Sequence, residues 1–128
     1  PQFARGELLP YVPPWVLRAD LGGDVHVDAR NAPLSAHLGL GASYLSARPL
    51  PFGQFSAPVS LFDLTGSLRW RWAELSFDVL NLLDKRYAAE EFSFVSNWNA
   101  SGTPSLIPAR HIVAGPPRTV LTTLSLHF

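Results

Sequence analysis

Two stretches of this chain alternate apolar and polar residues over eleven positions each, and this constrains the fold more than any other feature. In the first, Leu34, Ala36, Leu38, Leu40, Ala42 and Tyr44 share one side, and Ser35, His37, Gly39, Gly41 and Ser43 share the other. In the second, Phe62, Leu64, Gly66, Leu68, Trp70 and Trp72 oppose Asp63, Thr65, Ser67, Arg69 and Arg71. A period of two marks a strand with unlike faces. Shorter runs behave alike: Trp15 to Leu21, Leu75 to about Asn81, and the C-terminal run in which Val120, Leu124, Leu126 and Phe128 share a face interrupted by Thr122. Twelve prolines and nine glycines oppose long helices. The expectation is an all-β antiparallel meander of five strands.

Strand length points towards a membrane. Eleven residues extend roughly 36 Å, and at a tilt of about 45° they rise about 25 Å, the height of the apolar band of a transmembrane barrel. Strands of soluble sandwiches usually run about 5–6 residues. The connections fit as well. A tight turn is expected around Ala73 and Glu74, long loops from about Leu45 to Leu61 and from about Leu82 to Arg118, and a turn of middling length from Asp24 to Pro33. Short turns on one side and long loops on the other are the barrel pattern. With Phe128 at the periplasmic end, Trp70, Trp72 and Phe128 gather at one rim and Trp15, Tyr44 and Phe62 at the other. Membrane interfaces favour aromatic rings at those levels. Two other readings share the alternation: a soluble β-sandwich acting as a binding module, and a passive porin-type barrel.

Composition narrows the partners. The formal net charge is zero, so a nucleic-acid partner is not expected, because phosphate binding needs a basic surface. Without cysteine, neither a disulfide frame nor a cysteine zinc site can form. No run of about 18 apolar residues offers a transmembrane helix, which leaves barrel strands open. The chain has no methionine and begins at Pro1 without a signal peptide. It is therefore expected to be a piece of a longer protein.

Three segments carry a family resemblance. Asn81-Leu82-Leu83-Asp84-Lys85-Arg86-Tyr87 resembles the segment that leaves the penultimate strand of TonB-dependent outer-membrane receptors. Ala114-Gly115-Pro116-Pro117-Arg118-Thr119-Val120 resembles their Gly-x-Pro-Arg approach to the last strand, and Leu9-Pro10-Tyr11-Val12-Pro13-Pro14-Trp15 their proline-bearing lead into a strand. The resemblance implies that residues 1–128 are the C-terminal part of a 22-strand barrel, whose plug and earlier strands lie upstream. It implies TonB-coupled uptake of a scarce solute, most often an iron–siderophore complex, in the bacterial outer membrane, with no chemistry on the solute. Val120, Leu124, Leu126 and Phe128 would then form the signal read by the barrel-assembly machinery.

A search for chemistry yields little. His26 lies one residue from Asp28, yet a metal site is not expected there, nor is a cofactor. No Gly-x-Ser-x-Gly elbow and no phosphate loop occur, so no catalytic residues are assigned. Asn99-Ala100-Ser101 matches a glycosylation acceptor only by coincidence in such a protein. Glu90 and Glu91 read as solvated loop carboxylates. Arg18, Asp20, Asp63, Arg69, Arg71, Glu74 and Asp78 fall on polar faces, either as a hydrated, mutually paired inner wall or as a surface that meets the plug or a passing ligand. His37 and His127 share that side. The loop from about Ala88 to Pro117 is the candidate for solute capture, through Phe92, Phe94, Asn97 and Trp98. Those rings could equally pack the loop over the barrel mouth.

Overall fold

A computed structural model describes residues 8–29, 32–99 and 102–127. Among the described residues the chain is all-β, without α-helices. These residues form, in order, β1 (Val16–Ala29), β2 (Ala32–Leu45), β3 (Pro49–Leu50), β4 (Gln54–Phe55), β5 (Val59–Trp70), β6 (Ala73–Leu80), β7 (Ala88–Ser96), β8 (Ile107–Ala114) and β9 (Thr119–Leu126). The five long alternating segments make one antiparallel sheet in the order β1-β2-β5-β6-β9. Each lies beside the next long strand in the chain, which makes the sheet the expected meander. Two hairpins, β3–β4 and β7–β8, are inserted between its strands. By contacts the chain divides into a unit of residues up to Val16, Tyr44–Val59 and Arg86–Gly115, and a unit of Leu17–Ser43, Ser60–Lys85 and Pro116 onward.

The second unit holds most of the five-stranded sheet. Its register keeps like faces together. Leu64 pairs with Val79, Leu68 with Leu75 and Trp70 with Ala73, while Thr65 meets Asp78, Ser67 meets Ser76 and Arg69 meets Glu74. Across the next seam Val79 meets Val120, Leu75 meets Leu124 and Ala73 meets Leu126. The interruption at Thr122 falls opposite Phe77. On its other side that ring lies over Gly66, where an added Cβ would collide with it. Phe77 thus covers a strand glycine that exists to admit it. Gly66→Ala is expected to cost about 1–3 kcal/mol through overpacking. Combining it with Phe77→Leu should recover most of that loss in a chemical-unfolding double-mutant cycle.

Three connections differ from the sequence reading. Asp24 to Pro33 is not a turn over most of its length, since β1 runs to Ala29 and β2 begins at Ala32. The alternation continues there, with Val25 and Val27 on the apolar side, and only the pair Gly22-Gly23 hides it. The tight turn before β6 consists of Arg71 and Trp72, because Trp70 pairs with Ala73. Arg71 takes a left-handed φ of 53°, so it turns the chain and does not stand on the polar face. The expected loop from about Leu82 to Arg118 contains the hairpin β7–β8, with a bulge between Ala88 and Glu90. Pro108 and the sequence Arg110-His111 break the apolar rhythm in β8, which is why the pattern did not betray a strand.

In the first unit, the β3–β4 link is a single 3-10 turn at Pro51–Gly53, with φ of 64° at Phe52 and 71° at Gly53. Ser56 N–H donates to Arg48 O, and Arg48 N–H donates to Ser56 Oγ, closing the loop on itself. Tyr11 N–H donates to Pro49 O at 2.7 Å, which ties the proline-bearing lead to β3. Leu50, 4% exposed, is the one buried hydrophobic side chain among the described residues.

Candidate functional site

Three groups of side chains stand out, and each follows from strand geometry. The first is the polar face of the large sheet. Arg18 pairs with Asp20 at 2.8 Å, reaches Asp63 at 4.0 Å and donates to Ser43 Oγ. Arg69 binds Glu74 at 2.6 Å, and His37 Nδ1 lies 2.8 Å from Asp24. His127 Nε2 approaches the same Glu74 at 3.8 Å. Asp24, His26, Ser35, His37, Ser67, Arg69 and Glu74 line an open cavity of about 180 Å³. The side chains Arg18, Asp20, Arg69 and Glu74 are thus paired on this face, which stays accessible to water. Such pairs contribute little stability each, but they keep one face of the sheet hydrated. The opposite face is apolar and open: Leu21, Leu38, Leu40, Leu68, Leu75, Val120 and Leu124 are all exposed.

The second group is the aromatic side of the hairpin. Phe92 and Phe94 alternate on β7, and cross-strand pairing sets Phe92 beside His111 and Phe94 beside Ala109. Phe94 stacks on His111 with centroids 3.8 Å apart and planes within 2°, and Trp98 lies parallel to the same imidazole at 5.6 Å. Ser96 Oγ lies 3.2 Å from His111 Nε2. Phe92 packs obliquely on Tyr11 at 6.1 Å. Phe92 and Phe94 are half-exposed and Trp98 is 65% exposed. The structure thus brings Phe92, Phe94 and Trp98 together around His111, which the sequence reading left unassigned. A histidine two residues along from the cross-strand partner of Phe94 could be found only once the register was known.

Asn97 has a different task. Its side-chain oxygen accepts from the backbone N–H groups of Asn99 and Ser105, so it shapes the hairpin tip. Glu91 also departs from expectation, since it is 2% exposed. Facing the other way from Phe92, it accepts from Ala57 N–H at 3.0 Å and pairs with Arg110 Nε at 3.3 Å. Burial of that carboxylate follows from strand parity, because β7 turns Glu91 and Ser93 inward wherever it turns its aromatics outward. Glu90, as expected, is exposed.

The third group joins the end of β6 to the start of β9. Asn81 is 4% exposed and takes a left-handed φ of 52°. Its amide donates to Lys85 O at 2.9 Å and Pro116 O at 3.2 Å, and its oxygen accepts from Lys85 N–H. Its own N–H donates to Asp63. Asp84, also left-handed, accepts from Arg118 N–H. In the first unit, Tyr87 lies so close over Gly115 that any Cβ there would clash, and Gly115 N–H donates to Tyr87 O. Two of the three segments singled out by resemblance, 81–87 and 114–120, therefore meet each other as structural staples.

On β9, Val120, Leu124 and Leu126 share the open apolar face, and Phe128 lies outside the described residues. Among the described residues, no three metal-ligating side chains gather as a metal site would require. No protein-family model matches the chain, and neither a curated protein nor a solved structure matches it.

Proposed function

We propose that the chain is the C-terminal wall of a transmembrane β-barrel of the TonB-dependent receptor kind, a 22-stranded barrel for active uptake of a scarce solute such as an iron–siderophore complex. The observation that carries this reading is inverted polarity. A soluble domain buries the apolar face of its sheet, whereas here that face is open and the opposite face holds the ion pairs Arg18–Asp20 and Arg69–Glu74. Lipid suits the first face and a hydrated lumen the second. A soluble sandwich needs a second sheet to cover the apolar side, and among the described residues the side chains named above are exposed. The outer-membrane lipid is then the first partner. The barrel-assembly machinery would meet β9, which is an edge strand. Coupling to the TonB complex belongs to the N-terminal part of such a receptor.

In this reading the β7–β8 hairpin, between β6 and β9, serves solute capture through Phe92, Phe94 and Trp98. Truncating Phe94 and Trp98 to alanine in the full-length receptor is expected to weaken solute binding about tenfold or more, as loss of exposed aromatic anchors does. The check is saturation binding on iron-starved cells at equal surface expression. Unchanged affinity would remove the hairpin from the capture site. Failure of the full-length protein to fractionate with the outer membrane would remove the reading itself.

A further inference from the structure

The imidazole of His111 is placed to do more than fill space in the hairpin. The rings of Phe94 and Trp98 both lie parallel to it, at 3.8 Å and 5.6 Å between centroids. The backbone at Trp98 is tied down, since its N–H donates to Ser105 Oγ at 2.9 Å. The indole itself is 65% exposed. Among the described residues, His111 is the aromatic ring that meets it. A tryptophan so exposed turns about its two side-chain torsions unless a flat partner holds it, and a loose ring gives up part of its binding energy on being ordered. Ser96 Oγ lies 3.2 Å from His111 Nε2 and serves either charge state. Its hydroxyl donates to a bare ring nitrogen and accepts from a protonated one.

Resting on the capture reading of this hairpin, we propose that His111 is a positioning residue that braces Trp98, and that the brace tightens in acid. An imidazole changes charge between roughly pH 5 and 8. The faces of Phe94 and Trp98 attract a cation more than a neutral ring, and both lie within the ~6 Å over which that attraction acts. The bond to Ser96 survives the change of charge. The ring is half-buried, so the charge keeps contact with water. Strand parity puts the exposed Glu90 on the same side of β7, two register steps from His111, where it also favours the cation. Glu91 and Arg110 stand on the other side and pair with each other. Tyr11, from the proline-bearing lead, meets the aromatic side at Phe92.

The test is fluorine NMR of the full-length, micelle-folded protein labelled with fluorotryptophan. The Trp98 resonance is the one lost in Trp98→Phe. Acidification from about pH 8 to about pH 5 is expected to move it sigmoidally away from the position of the free amino acid, with about a threefold gain in the stacked population. His111→Phe should hold the resonance near the stacked position without pH dependence, because the flat ring remains and the charge is gone. His111→Leu, which fills the space without a flat face, should move it to the free position at every pH. Glu90→Gln should leave the titration in place. A resonance that does not titrate, that moves toward the free position in acid, or that titrates equally in His111→Phe overturns the proposal. So does a titration lost in Glu90→Gln, or an unmoved resonance in His111→Leu. If His111→Leu does not fold, the wild-type and His111→Phe titrations decide between the same outcomes. No solute enters this measurement, so its failure leaves the capture reading standing. Unchanged solute affinity after truncation of Phe94 and Trp98 would remove that reading and leave the brace.

Discussion

Replacing Asn81 by alanine is expected to destabilise the folded protein by about 3–4 kcal/mol, the largest effect of any substitution outside the charged-to-lipid class. Alanine loses the side-chain bonds to Lys85 O, Lys85 N–H and Pro116 O at a position that is almost fully buried. It also places a Cβ without local hydrogen bonding in a left-handed conformation, which asparagine tolerates better than alanine. The two causes separate in a series. Asn81→Gly keeps the backbone comfortable and loses only the bonds, so it should recover about 1 kcal/mol of the loss. Asn81→Asp keeps the acceptor for Lys85 N–H and loses both donated bonds. Urea unfolding of the lipid-folded protein gives the ranking. Equal stability of the alanine and glycine variants would show that the left-handed turn carries no cost.

The second large effect concerns the faces of the sheet. Leu40→Arg, on the open apolar side of β2, is expected to cost roughly 2–4 kcal/mol if it stands near the bilayer midplane. Gly41→Arg is a poor partner for it. A Cβ at Gly41 would lie 2.9 Å from Asp20 Oδ1 and 3.1 Å from Arg18 Nη2, so the new cation would enter an occupied ion pair. Ser76→Arg is the better comparison. It stands on the polar side opposite Ser67 and Thr123, with Glu74 and Asp78 two residues away on either side. Its cost should stay within about 1 kcal/mol, as for an exposed charge with nearby carboxylates. Stability measured in vesicles should separate the two arginines. Equal losses would contradict the assignment of faces.

The large sheet was legible because one physical rule governs it. Where one face meets apolar surroundings and the other water, every second residue reports the face, and Leu34 to Tyr44 and Phe62 to Trp70 do so without a break. The reading faltered where that rule was masked or overridden. Gly22 and Gly23 removed the signal from the middle of β1. Arg71 and Trp72 kept the rhythm through a turn, because a turn sets backbone angles and not side-chain polarity. In β7 the aromatic residues face outward and Glu91 inward, so polarity predicted solvent for the wrong member of the pair. The candidate site was half visible. Phe92, Phe94 and Trp98 advertise themselves by type, whereas His111 joins them only through the register of β7 on β8. Asn81 read as part of a motif, but its role as the link to Pro116 depends on a contact 35 residues away.

The central claim is that the open face of the large sheet is a lipid face. The chain lacks cysteine, so single cysteines can be placed and spin-labelled one at a time along residues 34–43 of the full-length protein folded in lipid vesicles, using a background cleared of any upstream cysteines. Accessibility to dissolved oxygen and to a polar nickel chelate should then alternate with period two. Labels at Leu34, Ala36, Leu38, Leu40 and Ala42 are predicted to favour oxygen, and labels at Ser35, His37, Gly39, Gly41 and Ser43 to favour the chelate. Chelate access at every position, with no alternation, would contradict the account and make the sheet part of a water-soluble fold.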